Sequence, residues 1–213
     1  MEIDIPFLKI MIRRTNMKIG IDIDDTTLNT VNEMIKYGDI FCHDVLKNKN
    51  TKNSISDITN RFYLNSLYGW DDETKFKFFN MYYSQVLEDC QPKQDSPKII
   101  RKLKEEGNKI YFISARLTNI PDCQTENITI DTFKKYDIPY DKIIIAAYDK
   151  LKYCLENQIE VFVDDSYEVL ESLSNNGIKC YLITTPMNKS VIVSKEIKRV
   201  YNWEEIYNDL KEN

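Results

Sequence analysis

The sequence predicts an α/β chain: a three-layer sandwich around a mainly parallel sheet, with a small helical module inserted after the first strand. Short apolar runs rich in Ile and Val alternate with longer amphipathic stretches, as when parallel strands are joined by crossover helices. One interval near the start of the chain contains no such run. A length of 213 residues suits one domain carrying an insertion, at about 100–200 residues per domain.

Taken in order, residues 1–16 (MEIDIPFLKIMIRRTN) read as an extension ahead of Met17. Acids precede their apolar stretch, a lysine interrupts it and no small-residue cleavage site follows, unlike a secretory signal. The first strand is expected at Lys18–Ile23. From Leu28 to about Lys93 the chain is helical in pattern, polar and crowded with eleven aromatics between Tyr37 and Tyr83, most of which must pack together. A polar, proline-containing link, Gln91–Asp95, leads back to the sheet. Ser96 is placed as a cap before Pro97 at the start of a helix that Gly107 stops. Strands follow at Lys109–Ile113, Lys142–Ala147, Ile159–Val163 and Ile178–Ile183, with a helix between the last two that starts at Asp165 or Ser166 and ends at Gly177. The expected division is therefore an extension (1–16), a core (17–27 and 96–213) and an inserted helical module (28–95).

Composition narrows the function classes. With 42% hydrophobic and 30% charged residues the chain is not of a disordered class. Its 29 basic and 34 acidic residues give a net charge of −5, which gains little from a polyanion's counterion release, so no nucleic-acid polymer is expected as partner. Five widely spaced cysteines without a C-x-x-C pair encode neither a disulfide framework nor a zinc knuckle, and fit a reducing cytoplasm. The longest apolar run, Ile143–Tyr148, is far short of the ~20 residues that span a bilayer. His43, the only histidine, excludes multi-histidine metal sites.

The chemistry concentrates at strand ends. IGIDI delivers Asp22 and Asp24 at its carboxyl end, followed by Asp25, Thr26 and Thr27. Three carboxylates within four residues repel one another, and a bound cation is the simplest compensation; oxygen-only ligands suit Mg²⁺. A solvated acidic loop or helix cap is the bland reading. A second strand, Val161–Val163, runs into Asp164-Asp165-Ser166, and the carboxyl ends of parallel strands converge on one crevice. Ser114, Ala115 and Arg116 end a third strand, where a hydroxyl and backbone N–H groups can hold an anion. Lys150 follows a fourth, fourteen residues before the acidic pair.

In this order the four features resemble the motifs of the haloacid dehalogenase superfamily: D-x-D-x-T at Asp22–Thr26, the strand-ending hydroxyl at Ser114, the lysine at Lys150 and the acidic pair at Asp164 and Asp165. The helical insertion stands where that family carries its cap, and FISAR with VFVDDS looks most like the 5′-nucleotidase and 5′(3′)-deoxyribonucleotidase branch. Asp25 stands where many members have glycine, and Lys152 competes with Lys150 for the lysine role. The resemblance implies a Rossmann-like sandwich and a Mg²⁺-dependent phosphomonoesterase acting on a small phosphate ester, most of all a (deoxy)nucleoside monophosphate.

It further implies that Asp22 is the nucleophile, forming an aspartyl phosphate, and that Asp24 is general acid and base. The Asp24 carboxyl would be pushed toward the working pH by its acidic neighbours. The metal would lie among Asp22, the Asp24 main chain and Asp165, with Asp164 in close support. Ser114, Ala115, Arg116 and Lys150 would hold the phosphate, and the cap would choose the substrate, with Trp70, Phe62 and Tyr68 as candidate platforms for a base. Core packing is the competing account of every cap aromatic. A sugar or other metabolite phosphatase, or a noncatalytic phosphate-binding or signalling module, are the alternatives. A monomer or homodimer is expected, with no membrane partner.

Overall fold

The computed structural model describes residues 16–48, 53–54, 57–58 and 63–212; the extension before Asn16 and the aromatic Phe62 lie outside the described residues. Six strands form one sheet in the order β3-β2-β1-β4-β5-β6: β1 (Lys18–Ile21), β2 (Lys109–Ile113), β3 (Lys142–Ile144), β4 (Val161–Asp164), β5 (Lys179–Ile183) and β6 (Ile197–Val200). Every neighbouring pair is parallel. The central strands are buried on both faces, which is why they read as Ile- and Val-rich runs. One apolar layer joins Ile19, Ile21, Phe112 and Val163 to helix residues such as Ile100, Phe133 and Trp203. The opposite layer joins Phe162, Cys180 and Leu182 to Cys154, Leu170 and Leu173.

The sequence pattern did not signal β6. IKRV carries two charged residues and buries only its ends, as an edge strand can. The bounds of four other strands moved, those of β5 by the single residue Ile178. β1 stops at Ile21 because the chain folds back, with Thr27 and Leu28 both donating to the Ile23 carbonyl at 2.9 Å. β3 stops at Ile144 because Ala146 turns into the left-handed region, φ 56°. β4 begins later and continues through Asp164. Gly20 lets β1 lie against β4: a Cβ there would sit 2.3 Å from the Phe162 ring.

The crossover helices are α4 (Ser96–Glu105), α5 (Thr125–Lys135), α6 (Lys150–Asn157) and α7 (Tyr167–Ser174), with α8 (Trp203–Glu212) after β6. Ser96 is the first residue of α4, not its cap; Asp95 takes that place. The Ser96 hydroxyl instead donates to the Thr27 carbonyl at 2.8 Å and ties the helix to the turn after β1. Ser166 caps α7 in position.

The described residues between β1 and α4 contain α1 (Thr30–Asp44), α2 (Tyr63–Tyr68) and α3 (Asp72–Asp89). Phe41, Trp70, Phe78 and Val86 form their core, which extends to Ile120 in the loop after β2. The segment leaves and returns side by side: Asn29 donates to the Gln91 carbonyl and Lys93 to that of Thr27, both at 2.8 Å. Among the described residues no helix is long and apolar enough to cross a membrane.

Candidate active site

Because β2, β1 and β4 are neighbours, their carboxyl ends make one continuous edge. The pairing runs one step past the strands there: Asp22 donates its N–H to the Val163 carbonyl at 2.9 Å, and Ser114 donates to that of Ile144 at 3.0 Å. Asp22, Ser114 and Asp164 are thus fixed by backbone.

Lys150, the first residue of α6, is only 9% exposed. Its Nζ donates to Asp22 Oδ1 at 2.5 Å and to Asp164 Oδ2 at 2.7 Å. Carboxylate oxygens of Asp22, Asp164 and Asp165 lie within 4.8 Å of one another. Lys152 offers the site nothing comparable: its backbone N–H caps onto Asp149 Oδ1 and its ammonium lies over Tyr153.

Asp24 belongs to a second cluster. Arg116 Nε donates to both its oxygens, at 3.1 and 3.0 Å, and Nη2 to Oδ1 at 2.8 Å. Thr30 adds a bond of 2.5 Å, and Arg116 Nη1 donates to Thr129 Oγ1 at 2.8 Å. The guanidinium is fully buried and bonded to Asp24, while Arg116 still contributes to the lining of the cavity beside Ser114 and Ala115. Asp25 adopts φ 55°, a left-handed turn that Asp tolerates better than most residues. It puts its Oδ1 in place to accept the Val31 N–H at 3.1 Å, which satisfies the opening turn of α1.

These groups line a cavity of about 530 Å³, together with Ser114, Ala115, Tyr148 and the helix residues Met34, Phe79 and Tyr83. Ser114 is 1% exposed, and its Oγ accepts the Arg116 N–H at 3.3 Å. Trp70 is not on this wall. It is 5% exposed, stacked on Tyr68 at 4.4 Å and edge-on to Phe41 at 5.2 Å. It packs in the helical core with Phe41, Phe78 and Val86, as the core-packing account of the cap aromatics has it. Tyr68 likewise spends its hydroxyl on the Ile35 carbonyl and Asp39.

Electrostatics divide the acids. Burial pushes the Asp22 carboxyl up to about 7, against the pull of Lys150 and helped by Asp164. Burial also raises Asp25 to about 7, opposed by the Val31 N–H, and lifts Asp165 well above the usual carboxylate range, with Asp164, Asp25 and Asp22 adding to it. Burial would raise Asp24 too, but the Arg116 guanidinium outweighs it and holds that carboxyl below its ordinary value. The crowding expected to push Asp24 upward is overruled by a partner distant in sequence. For Lys150, burial is outweighed by Asp164 and Asp22, which keep the amine charged.

Five carboxyls therefore share two buried cations. The group of Asp22, Asp164 and Asp165 is all oxygen and under-neutralised, which suits a hard divalent cation of the Mg²⁺ class. Two contributors escaped the sequence reading. Asn188, in the loop before β6, donates Nδ2 to the carbonyls of Asp165 and Ile183, both at 2.8 Å, and accepts from Arg199 at 3.2 Å. Nothing in the local sequence marks it. Tyr148 is 66% exposed, and its nearness to Lys150 was the available signal.

No family model matches the chain. A nucleotidase of Clostridium acetobutylicum is 26% identical over 192 residues, covering 90% of this chain and 92% of that protein. Among solved structures, a haloacid dehalogenase-like family hydrolase of Streptococcus pneumoniae superposes with a TM-score of 0.64 at 11% identity, over 91% of this chain and 98% of that one. A HAD-hydrolase of Bacillus subtilis bound to magnesium gives 0.64 at 14% identity, over 92% and 99%. The chain has the haloacid dehalogenase-like hydrolase fold. A protein that it resembles along nearly its whole length is thus named a nucleotidase.

Proposed function

We propose that the protein is a Mg²⁺-dependent phosphoric monoester hydrolase of the reducing cytosol, acting on a (deoxy)nucleoside monophosphate through an aspartyl phosphate. The observation that carries this reading is the meeting of Asp22, Asp164 and Asp165 within 4.8 Å beside a buried lysine, all lining a cavity of about 530 Å³. The carboxylates of Asp22, Asp165 and Asp164, with the Asp24 main-chain carbonyl, would hold the metal. When bound, Mg²⁺ supplies charge neutralisation between the nucleophile and a phosphate dianion.

Asp22 attacks phosphorus, an Asp22–O–P bond forms and the ester P–O bond breaks. Lys150 keeps Asp22 oriented and offsets charge on the transferring group. The Ser114 hydroxyl, whose oxygen already accepts from Arg116, is left to donate to a nonbridging phosphate oxygen, beside the exposed backbone of Ala115. Asp24, entering the reaction protonated, gives its proton to the leaving alkoxide, and the carboxylate that remains, favoured by Arg116, takes a proton from the water that attacks the aspartyl phosphate. The inserted helices act as the cap, bringing Met34, Phe79 and Tyr83 over the site and excluding bulk water.

Release of inorganic phosphate from a panel of phosphomonoesters tests the reading. Wild-type protein should turn over with Mg²⁺ and stop with a chelator, and Asp22→Asn should lose about 10³-fold or more in kcat. Activity that survives Asp22→Asn would remove the nucleophile and the mechanism with it.

A further inference from the structure

We propose that Tyr148, carried by the sheet domain, is the platform on which the base of a nucleoside monophosphate stacks; this rests on the phosphomonoesterase reading and specifies its leaving group. The observation begins with a strained turn. Ala146, two residues past the end of β3, holds φ 56°, a region costly for any residue with a Cβ and kept only where the surroundings impose it. They do so here: Ala147 is fully buried and donates to the Ser114 carbonyl at 2.9 Å, and Tyr148 donates to that of Ala146 at 3.0 Å. The turn presents Tyr148 to solvent at the mouth of the cavity, two residues before the lysine that faces the phosphate position.

Three aromatic side chains line that cavity: Phe79, Tyr83 and Tyr148. Tyr83 is 4% exposed and accepts the Leu117 N–H at 3.1 Å. Phe79 packs edge-on against Tyr83 at 5.6 Å. Tyr148 is 66% exposed, and among the described residues its ring meets no other aromatic ring and its hydroxyl has no hydrogen-bond partner. An apolar ring left bare beside a charged, phosphate-directed floor is placed for a ligand that is anionic at one end and flat and aromatic at the other. A nucleoside monophosphate has that form; a sugar phosphate has only the first half. Because the turn is bonded to the strand end that carries Ser114, the distance from platform to phosphate position is set by the sheet and not by the inserted helices.

The test compares kcat/KM for AMP, GMP, CMP and UMP with that for ribose 5-phosphate, in wild type, Tyr148→Ala and Tyr148→Phe. The wild type should prefer the best nucleotide. Tyr148→Ala should narrow that preference by about tenfold or more, mainly through KM, as loss of base stacking does. Tyr148→Phe should hold it within about twofold, since the ring and not the hydroxyl is the platform. An unchanged preference in Tyr148→Ala, or an equal loss in Tyr148→Phe, overturns the assignment while leaving the phosphatase reading intact. No phosphate release from any of the five esters by wild type overturns both.

Discussion

Two cation–carboxylate clusters stand side by side at the sheet edge, and they solve the same problem differently. Lys150 is a point charge shared by Asp22 and Asp164, with Asp165 close by and raised well above the usual range. Arg116 spends a planar fork on Asp24 alone, with Thr30 and Thr129 completing the set. One cluster has more negative charge than its cation can offset; the other is satisfied. The difference separates a site that must recruit a cation from a site that only holds a carboxyl in place.

The largest effect should come from removing the shared cation. Lys150→Met leaves the buried Asp22 and Asp164 uncompensated beside Asp165 and should cost about 3–5 kcal/mol in urea unfolding of the metal-free protein, with Mg²⁺ restoring part of the loss. An intermediate effect is expected at the satisfied cluster. Arg116→Lys keeps the charge but not the fork, and should cost about 1.5–3 kcal/mol, with no comparable recovery on adding Mg²⁺. Equal recovery in both variants would erase the distinction. The smallest is a pH effect. Asp22 and Asp25 titrate near 7 in the folded chain against an ordinary 3.8. Their contribution to stability is present below that ordinary value and lost as pH rises through about 7. Asp24, held low, works in the opposite sense at acid pH. Thermal unfolding of metal-free protein should therefore drop by a few degrees between about pH 5 and pH 8, and saturating Mg²⁺ should flatten the slope.

What the sequence made legible follows from burial. Strands covered on both faces, such as Val161–Asp164, stand out as apolar runs, and each displays its acids at a predictable end. The edge strand Ile197–Val200 needs only alternate burial and so hides among charged residues. Asp22, Ser114, Lys150, Asp164 and Asp165 were readable as candidates because each stands at or just beyond a strand end. The role of Arg116 was not, because its partner is 92 positions away and only the folded sheet brings them together. Nor could composition separate Trp70 from Tyr148. Both are large aromatics, one inside the inserted segment and one two residues before Lys150, and only packing decides that the first is enclosed by Phe41 and Tyr68 while the second faces solvent. Asn188 shows the remaining limit: it acts on Asp165 through a main-chain carbonyl, so no side-chain motif records the relation.

The paired backbone bonds between Thr27–Asn29 and Gln91–Lys93 have an evolutionary corollary. They bring the two ends of a detour of about sixty residues to the separation of neighbouring strands, so a tight turn would suffice to rejoin them, and loop closure grows only slowly with length. The scaffold can therefore exchange this segment for a longer, shorter or unrelated one without redrawing its sheet. Selectivity can then diversify at that graft point while the acids at the strand ends stay as they are.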